Sequence, residues 1–223
     1  MDVAFADHKC EDIFVLVTDP AARFFIPKSR RVRIISSVND KRLRHAEDIL
    51  VLTTGFDLPQ AAEFIKNTNQ KKRVRGLLVR QEANQNWLSV MLERAGLRNW
   101  KNLLVYSDYT VMRRVLGAWG MNYGKHNLIA DAAVIEDILF VRDCIFNCYE
   151  VELKQIKAFA KVPTKDRGDF LISEKGGHIS WPAYDIDLGL DSIKYILNPE
   201  SFKALARNHG VISAKPLANS GKP

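Results

Sequence analysis

Short apolar runs recur through the first half of the chain, separated by longer segments in which apolar residues follow a helical spacing. Apolar runs of roughly four to eight residues are typical of strands in a parallel sheet, which is covered on both faces. The run at 49–53 is the most continuous and predicts a central strand. In all, the runs predict five strands, at 13–17, 32–36, 49–53, 74–79 and 102–106.

Helix signals follow three of these runs. Asp57 is a good N-cap residue, Pro59 suits a first turn, and Gln60 lies three residues after Asp57, which is capping-box spacing. Helix-period apolar residues recur at 87–92 and again at 108–119, where the first residue is an aspartate able to cap the helix. The pattern therefore predicts strands that alternate with helices.

This alternation predicts an α/β fold for residues 1–126. Short connections and right-handed crossovers between successive strands give a five-stranded, parallel, doubly wound sheet of the flavodoxin-like kind. In such a sheet, ligands bind beyond the carboxyl ends of the strands, near the point where the strand order reverses.

The second half has a different pattern. A glycine-rich stretch at 117–127 indicates a boundary, and apolar residues within 131–141 predict a helix, so that 127–144 becomes a linker. From residue 145 the period shifts towards two, which favours a small α+β module over 145–210. The residues 211–223 have the composition of a disordered tail.

Within this module the pattern predicts strands and two short helices. Asp191 is expected to cap one of the helices, and Pro199 is expected to open the other. The predicted strands lie at 145–150, 153–159, 170–173 and 178–181.

Composition indicates a folded protein of the cytoplasm. The chain has 223 residues, of which 47% are hydrophobic and 26% charged, as in ordinary globular proteins. We expect no membrane span, because no apolar run is long enough, and the amino-terminal residues do not resemble a signal peptide. Three cysteines are too few for a disulfide framework and suit a reducing compartment.

Positive charge is concentrated in the first half. Residues 1–126 carry 21 Lys and Arg against 13 Asp and Glu, whereas the remainder carries 12 against 13. Clustered cations are what binding to a phosphate backbone requires, although solvated loops explain them equally well. The sequence thus predicts contact with nucleic acid or an acidic protein through Lys28, Arg30, Arg31, Arg33, Lys41, Arg42, Arg44, Lys71, Lys72, Arg73 and Arg75.

Polar residues at the carboxyl ends of the predicted strands form a second candidate site. A Thr-Thr-Gly stretch before a capped helix offers free backbone N–H groups and the positive end of a helix dipole to an anion. Ordinary turn chemistry explains the same residues without a ligand, and no Gly-rich nucleotide motif is present. The candidate ligand-binding residues are Asp19, Thr53, Thr54, Gly55, Arg80 and Asp108.

No catalytic set, metal or cofactor is predicted. A phosphoacceptor domain needs an aspartate at the end of the third strand, where Thr53 and Thr54 stand instead. Cys144 and Cys148 are four residues apart, but no second ligand pair at zinc spacing follows. We therefore expect both of these thiols to be structural.

The stretch 152–200 combines a glycine turn, a Trp-Pro pair, two spaced aspartates and a short helix: Gly176, Gly177, Trp181, Pro182, Asp185, Asp187, Leu188 and a helix from Ser192. In these elements it resembles the DUF2442 domain of prokaryotic proteins. The resemblance implies a small mixed fold of unknown biochemistry. Some members resemble regulators because a helix-turn-helix follows, but too few residues follow here for a complete one.

Four residues of this stretch form a candidate interaction patch: Trp181, Tyr184, Asp185 and Asp187. Trp181 equally suits a core position. The two aspartates, two apart on a predicted strand, share one face and could also bind a hard cation.

These observations favour a non-enzymatic regulatory or scaffolding protein. Its basic domain would contact nucleic acid or an acidic partner, and its second module would bind protein. One alternative is an enzyme or sensor that holds a small phosphate-bearing ligand over residues 53–55. Another is a homo-oligomer or assembly subunit in which a partner covers Trp119 and Tyr123.

Overall fold

The computed structural model describes residues 12–68, 73–82, 87–121 and 125–200. The first half contains one five-stranded sheet with the strand order β2-β1-β3-β4-β5, in which every neighbouring pair is parallel. The prediction of an α/β fold with a parallel doubly wound sheet is confirmed. The strands are β1 Ile13–Val17, β2 Val32–Ile35, β3 Asp48–Thr54, β4 Val74–Arg80 and β5 Leu103–Tyr106.

Three helices accompany this sheet: α1 Leu58–Thr68, α2 Leu88–Arg94 and α3 Tyr109–Gly120. Asp108 caps α3, since its carboxylate accepts a hydrogen bond of 2.8 Å from the backbone N–H of Thr110. This hydrogen bond lowers the pKa of Asp108 below its ordinary value. Asp57 stands immediately before α1, where its carboxylate accepts a hydrogen bond from the Thr54 hydroxyl.

Two crossovers of the sheet contain only a single 3₁₀ turn. Ala21–Phe25 connects β1 to β2, and Lys41–Arg44 connects β2 to β3. One face of the sheet packs against α1, α2 and the Lys41–Arg44 turn. The opposite face packs against α3, the Ala21–Phe25 turn and residues from the second half of the chain.

The second half consists of two three-stranded antiparallel sheets, with orders β6-β7-β8 and β11-β10-β9. Three 3₁₀ turns lie between β8 and β9, and the helix α4 follows β11. Trp181 and Phe159 fill the core between these elements. The bounds are β6 Ile129–Ile135, β7 Ile138–Asp143, β8 Cys148–Glu152, β9 Leu171–Ile172, β10 His178–Trp181, β11 Ile186–Gly189 and α4 Leu190–Leu197.

The predicted helix at 131–141 is wrong, because β6 and β7 form a hairpin there. Two residues, Glu136 and Asp137, make its turn with positive φ angles of 48° and 65°. Two-residue hairpin turns of this kind usually contain Gly or Asn, and their absence hid the turn from a sequence reading. Residues 127–144 are therefore part of the antiparallel module and not a helical linker.

Two smaller predictions for this module also fail. The segment 153–159 forms 3₁₀ turns instead of a strand. The N-cap of α4 is Gly189, so Asp191 lies within the first turn. Pro199 and Glu200 are helical, as expected, but the rest of the helix predicted from Pro199 and the tail predicted at 211–223 lie outside the described residues.

The two halves are joined by polar contacts from α3, which are partly buried at Arg114 and fully buried at Trp119. Arg114 donates hydrogen bonds to the backbone carbonyls of Ser173, Ala130 and Ile172 at 3.3, 3.1 and 3.2 Å. The indole N–H of Trp119 donates to the carbonyl of Cys144 at 2.7 Å. These contacts fix the antiparallel module against one face of the parallel sheet.

Among the described helices, none has both the length and the apolar character needed to cross a bilayer.

Candidate functional sites at the two edges of the parallel sheet

The segments that precede strands β2 to β5 are basic. Within the six positions before each of these strands, the described residues include eight Lys or Arg and one Glu. Within the six positions after each of the five strands they include two basic and five acidic residues. Because all five strands are parallel, the first set lies at the amino-terminal edge of the sheet and the second at the carboxyl-terminal edge. The sheet therefore has one basic edge and one acidic edge, although β1 is itself preceded by Asp12.

Five exposed cations in or next to the segments before strands make no ion pair with another described residue: Lys28, Arg30, Arg44 and Lys101, and Lys41, which lies seven positions before β3, midway along the crossover from β2. Four of them were predicted from the sequence. Lys101, in the segment before β5, was missed because it does not belong to a run of basic residues. Its position before a predicted strand was the available signal.

Three of the predicted cations have carboxylate partners. Arg33 binds Asp12 at 2.9 Å, Arg42 binds Asp40 at 2.7 Å, and Arg75 binds Asp48 at 2.5 Å. The side-chain hydrogen bond from Arg42 lowers the pKa of Asp40 to about 2. Exposed pairs of this type contribute little to stability, but each one reduces the net charge that a polyanion would meet.

Two further predicted arginines bind the backbone. Nη1 of Arg73 donates to the carbonyls of Leu43, Arg44 and Ala46, at 2.9, 2.9 and 3.2 Å. Nη1 of Arg31 donates to the carbonyl of Met121 at 2.9 Å. These arginines hold loops of the amino-terminal edge in place. Lys71 and Lys72 lie outside the described residues.

At the carboxyl-terminal edge, Asp19 and Arg80 form a buried ion pair. The Asp19 side chain is 1% exposed and accepts hydrogen bonds from Nε of Arg80 at 2.7 Å and from the backbone N–H of Ala21 at 3.0 Å. Arg80 also binds Glu82 at 2.9 Å. The structure thus brings together two predicted ligand-binding residues that are 61 positions apart in sequence.

The threonines beside this pair satisfy one another. The Thr18 hydroxyl donates to that of Thr53 at 2.9 Å, and the Thr53 hydroxyl donates to the Thr54 carbonyl at 3.3 Å. Thr53, Thr54 and Gly55 are all buried. The strand order reverses between β1 and β3, so these groups occupy the position where an open sheet would bind a ligand. Occupied hydroxyls and surrounding carboxylates argue against a phosphate ligand there.

Aromatic rings adjoin the ion pair, and the sequence reading did not identify them. Phe25 stacks on Tyr109 with a centroid distance of 4.0 Å, and the guanidinium carbon of Arg80 lies 5.7 Å from the Tyr109 ring centre. Burial raises the pKa of Tyr109. Phe24 is 88% exposed. The two adjacent phenylalanines, seven and eight positions after the end of the first predicted strand, were the available signal.

The predicted interaction patch of the second module does not form as expected. Trp181 is fully buried, with its indole N–H donating to the Arg167 carbonyl at 2.9 Å, so it occupies the alternative core position. Asp185 and Asp187 are exposed, but Asp185 precedes β11 with a φ angle of 54°. The expectation of two carboxylates on one strand face is therefore wrong. The half-buried Tyr184 donates its hydroxyl to the Asp166 carboxylate.

No group of three or more His, Cys, Asp or Glu that could hold a metal occurs within the described ranges. Cys144 is buried, but Cys148 is exposed and does not occupy the buried apolar position expected of a structural thiol. Burial, together with the nearby charge of Asp143, raises the pKa of Cys144 to about 12.

Of the two residues expected beneath a partner in an assembly, Trp119 is buried within the fold, and Tyr123 lies outside the described residues.

The fold and these two edges define an α/β protein with an appended antiparallel module. Comparison of the chain with protein-family models, with curated proteins and with solved structures found no match.

Proposed function

We propose that the chain is a non-enzymatic regulatory or scaffolding protein that binds nucleic acid along the basic edge of its parallel sheet. The observation that carries this proposal is the unequal distribution of charge between the two edges. A parallel sheet directs the loops before its strands to one side, and here those loops are the basic ones.

The four exposed cations of this edge, together with Lys41 in the adjoining crossover, suit a phosphate backbone better than base edges. Each phosphate that a Lys or Arg neutralises releases condensed counterions, which favours binding at low salt. Contacts of this kind position a protein on nucleic acid without selecting a sequence. We therefore expect binding to duplex DNA that depends strongly on salt and weakly on sequence.

A salt titration tests this proposal. Fluorescence anisotropy with a labelled duplex gives the dissociation constant over a series of salt concentrations. Five engaged phosphates give a log–log slope of about −4.5, from about −0.9 per phosphate. The triple variant Lys28→Ala, Arg30→Ala, Lys101→Ala is expected to lower the slope to about −1.8.

A matched variant in the second module provides the control. Lys161, Lys165 and Lys175 are also exposed and form no ion pair with a described residue, but they belong to the antiparallel module. Replacing all three with alanine removes the same charge from the protein and is expected to leave the slope unchanged. A flat salt response of the unaltered protein, or equal effects of the two triple variants, would overturn the proposal.

A further inference from the structure

A cleft of about 500 Å³ lies between the Lys41–Arg44 turn and α1. The crossover from β2 to β3 passes here as one 3₁₀ turn, where doubly wound folds commonly place a helix. Its volume falls within the range of roughly 300–1,000 Å³ that small-molecule sites occupy.

One face of α1 forms a wall of this cleft. Gln60, Glu63, Phe64 and Asn67 lie at helical spacing and line it, whereas Leu58, Ala61 and Ile65 form the buried face. A helix face that packs against a neighbouring helix is normally apolar. This face instead presents two amides, a carboxylate and one aromatic ring.

The remaining lining combines hydrogen-bonding groups with cations. Asn39 supplies a third amide, and Arg44 belongs to the exposed cations of the basic edge. Nε of Arg73, which also lines the cleft, is buried and has no hydrogen-bond partner among the described residues. A buried donor without a partner is costly.

We propose that the cleft binds one nucleotide unit, with the base against Phe64 and the phosphate beside Arg44. Phe64 is half-buried, with part of its ring packed on the core, and bases stack on such rings. Amides donate and accept at once, as the polar edges of bases require. Asp40 is already bound by Arg42, and Glu63 is exposed and free to accept from a base amino group.

This inference deepens the proposed function, because the cleft shares Arg44 with the basic edge. The nucleotide unit belongs either to a strand held at that edge or to a free nucleotide. The two sources present the same ring and phosphate, so the experiment needs one arm for each.

The test compares a short single-stranded oligonucleotide with an abasic oligonucleotide of equal length and charge. We expect the base-bearing strand to bind about ten times more tightly, since stacking of a single base accounts for such a factor. Phe64→Leu keeps apolar bulk in the core and removes the ring. This substitution and Asn67→Ala are each expected to bring the two affinities close together. Gln155→Ala, which alters an exposed amide of the antiparallel module, is expected to leave the ratio unchanged.

The second arm measures competition by nucleoside monophosphates. If monophosphates compete and Phe64→Leu abolishes that competition, the cleft binds free nucleotides. If monophosphates do not compete but the tenfold preference for the base-bearing strand remains, the cleft binds a base of a strand. Equal affinity for base-bearing and abasic strands, together with no binding of monophosphates, overturns the inference. The salt slope with duplex DNA is read separately, so this failure is distinct from failure of the proposed function. Thermal melting confirms that each variant is folded.

Discussion

The ring of Phe146 lies directly against the backbone of Gly76. A Cβ atom added at residue 76 would stand 2.2 Å from Cζ and 2.3 Å from Cε2 of that ring. Gly76 is in the interior of β4, where glycine normally weakens a strand. Here the missing side chain leaves the space into which the second half of the chain inserts its phenylalanine.

Gly76→Ala is therefore expected to lower the free energy of unfolding by about 1–3 kcal/mol or more, as overpacking of a core does. Urea denaturation followed by circular dichroism measures the change. Gly117→Ala is the matched control, because a Cβ at that position of α3 has no atom within 4 Å. It is expected to raise stability by about 0.5–1 kcal/mol, since alanine favours helix over glycine. Equal effects of the two substitutions would contradict the close packing at Gly76.

Two adjacent arginines of α3 provide a second test. Arg114 is half-buried and donates to three carbonyls of the antiparallel module, whereas Arg113 forms an exposed ion pair with Glu174. We expect Arg114→Met to destabilise the protein by about 2–3 kcal/mol, because three partly buried carbonyls lose a charged donor. Arg113→Met is expected to change stability by less than about 0.5 kcal/mol. Similar denaturation midpoints for the two variants would show that Arg114 does not join the two halves.

The buried ion pair at the carboxyl-terminal edge is tested by removing one partner and then altering both. Arg80→Met leaves the Asp19 carboxylate buried without its cation, which is expected to cost about 3 kcal/mol of stability. Adding Asp19→Asn removes the uncompensated charge and keeps an acceptor for the Ala21 N–H, so the double variant should recover much of the loss. Calorimetric melting of Arg80→Met, of Asp19→Asn and of the double variant completes a double-mutant cycle. Additive losses would mean that the two side chains do not interact.

The two cysteines of the hairpin region are expected to differ in reactivity. With a pKa of about 12, Cys144 is thiolate in only about one molecule in ten thousand at pH 8, and the thiolate is the reactive form. Cys148 is exposed. Brief alkylation of the native protein at pH 8, followed by peptide mass spectrometry, should therefore label Cys148 and spare Cys144 until the protein unfolds.

The same raised pKa sets a pH dependence of stability. The unfolded thiol ionises near its ordinary value of 9.0, whereas the folded thiol stays protonated to about 12. The unfolded state thus binds fewer protons in this window, and stability is lost as pH rises from about 9 to about 12. Cys144→Ala, compared with the native chain in denaturation at pH 8 and pH 10, should show a smaller loss. An identical loss would assign the alkaline dependence to other groups.

Much of the parallel sheet could be predicted because its strands are continuous apolar runs bounded by turn residues. The hairpin at 129–143 could not, since Ile135, Ile138 and Leu139 have the i, i+3, i+4 spacing of a helix face. The turn between its strands contains neither Gly nor Asn to separate the two readings. Glu136 and Asp137 adopt positive φ angles because the surrounding ladder holds them there.

The candidate sites were predictable to different degrees. The pairing of Asp19 with Arg80 depends on β3 lying between β1 and β4, and no local pattern specifies that order. The basic edge could have been predicted, because the cations stand before predicted strands and parallel topology alone brings them together. The cleft beside α1 could not be predicted. It exists because the crossover from β2 to β3 forms one 3₁₀ turn where doubly wound folds commonly place a helix.

The segment Cys144–Phe146 packs against the parallel sheet, and this has a consequence for folding of the chain during its synthesis. Residues 12–121 leave the ribosome first, yet the sheet face that packs against α3 is completed by Cys144 and Phe146, which are translated more than twenty positions later. During that interval the nascent sheet exposes apolar surface that favours aggregation. A chain truncated before these residues exposes the same surface permanently. The change in composition between the two halves is therefore not a boundary between independently folding units, because both halves contribute to one core.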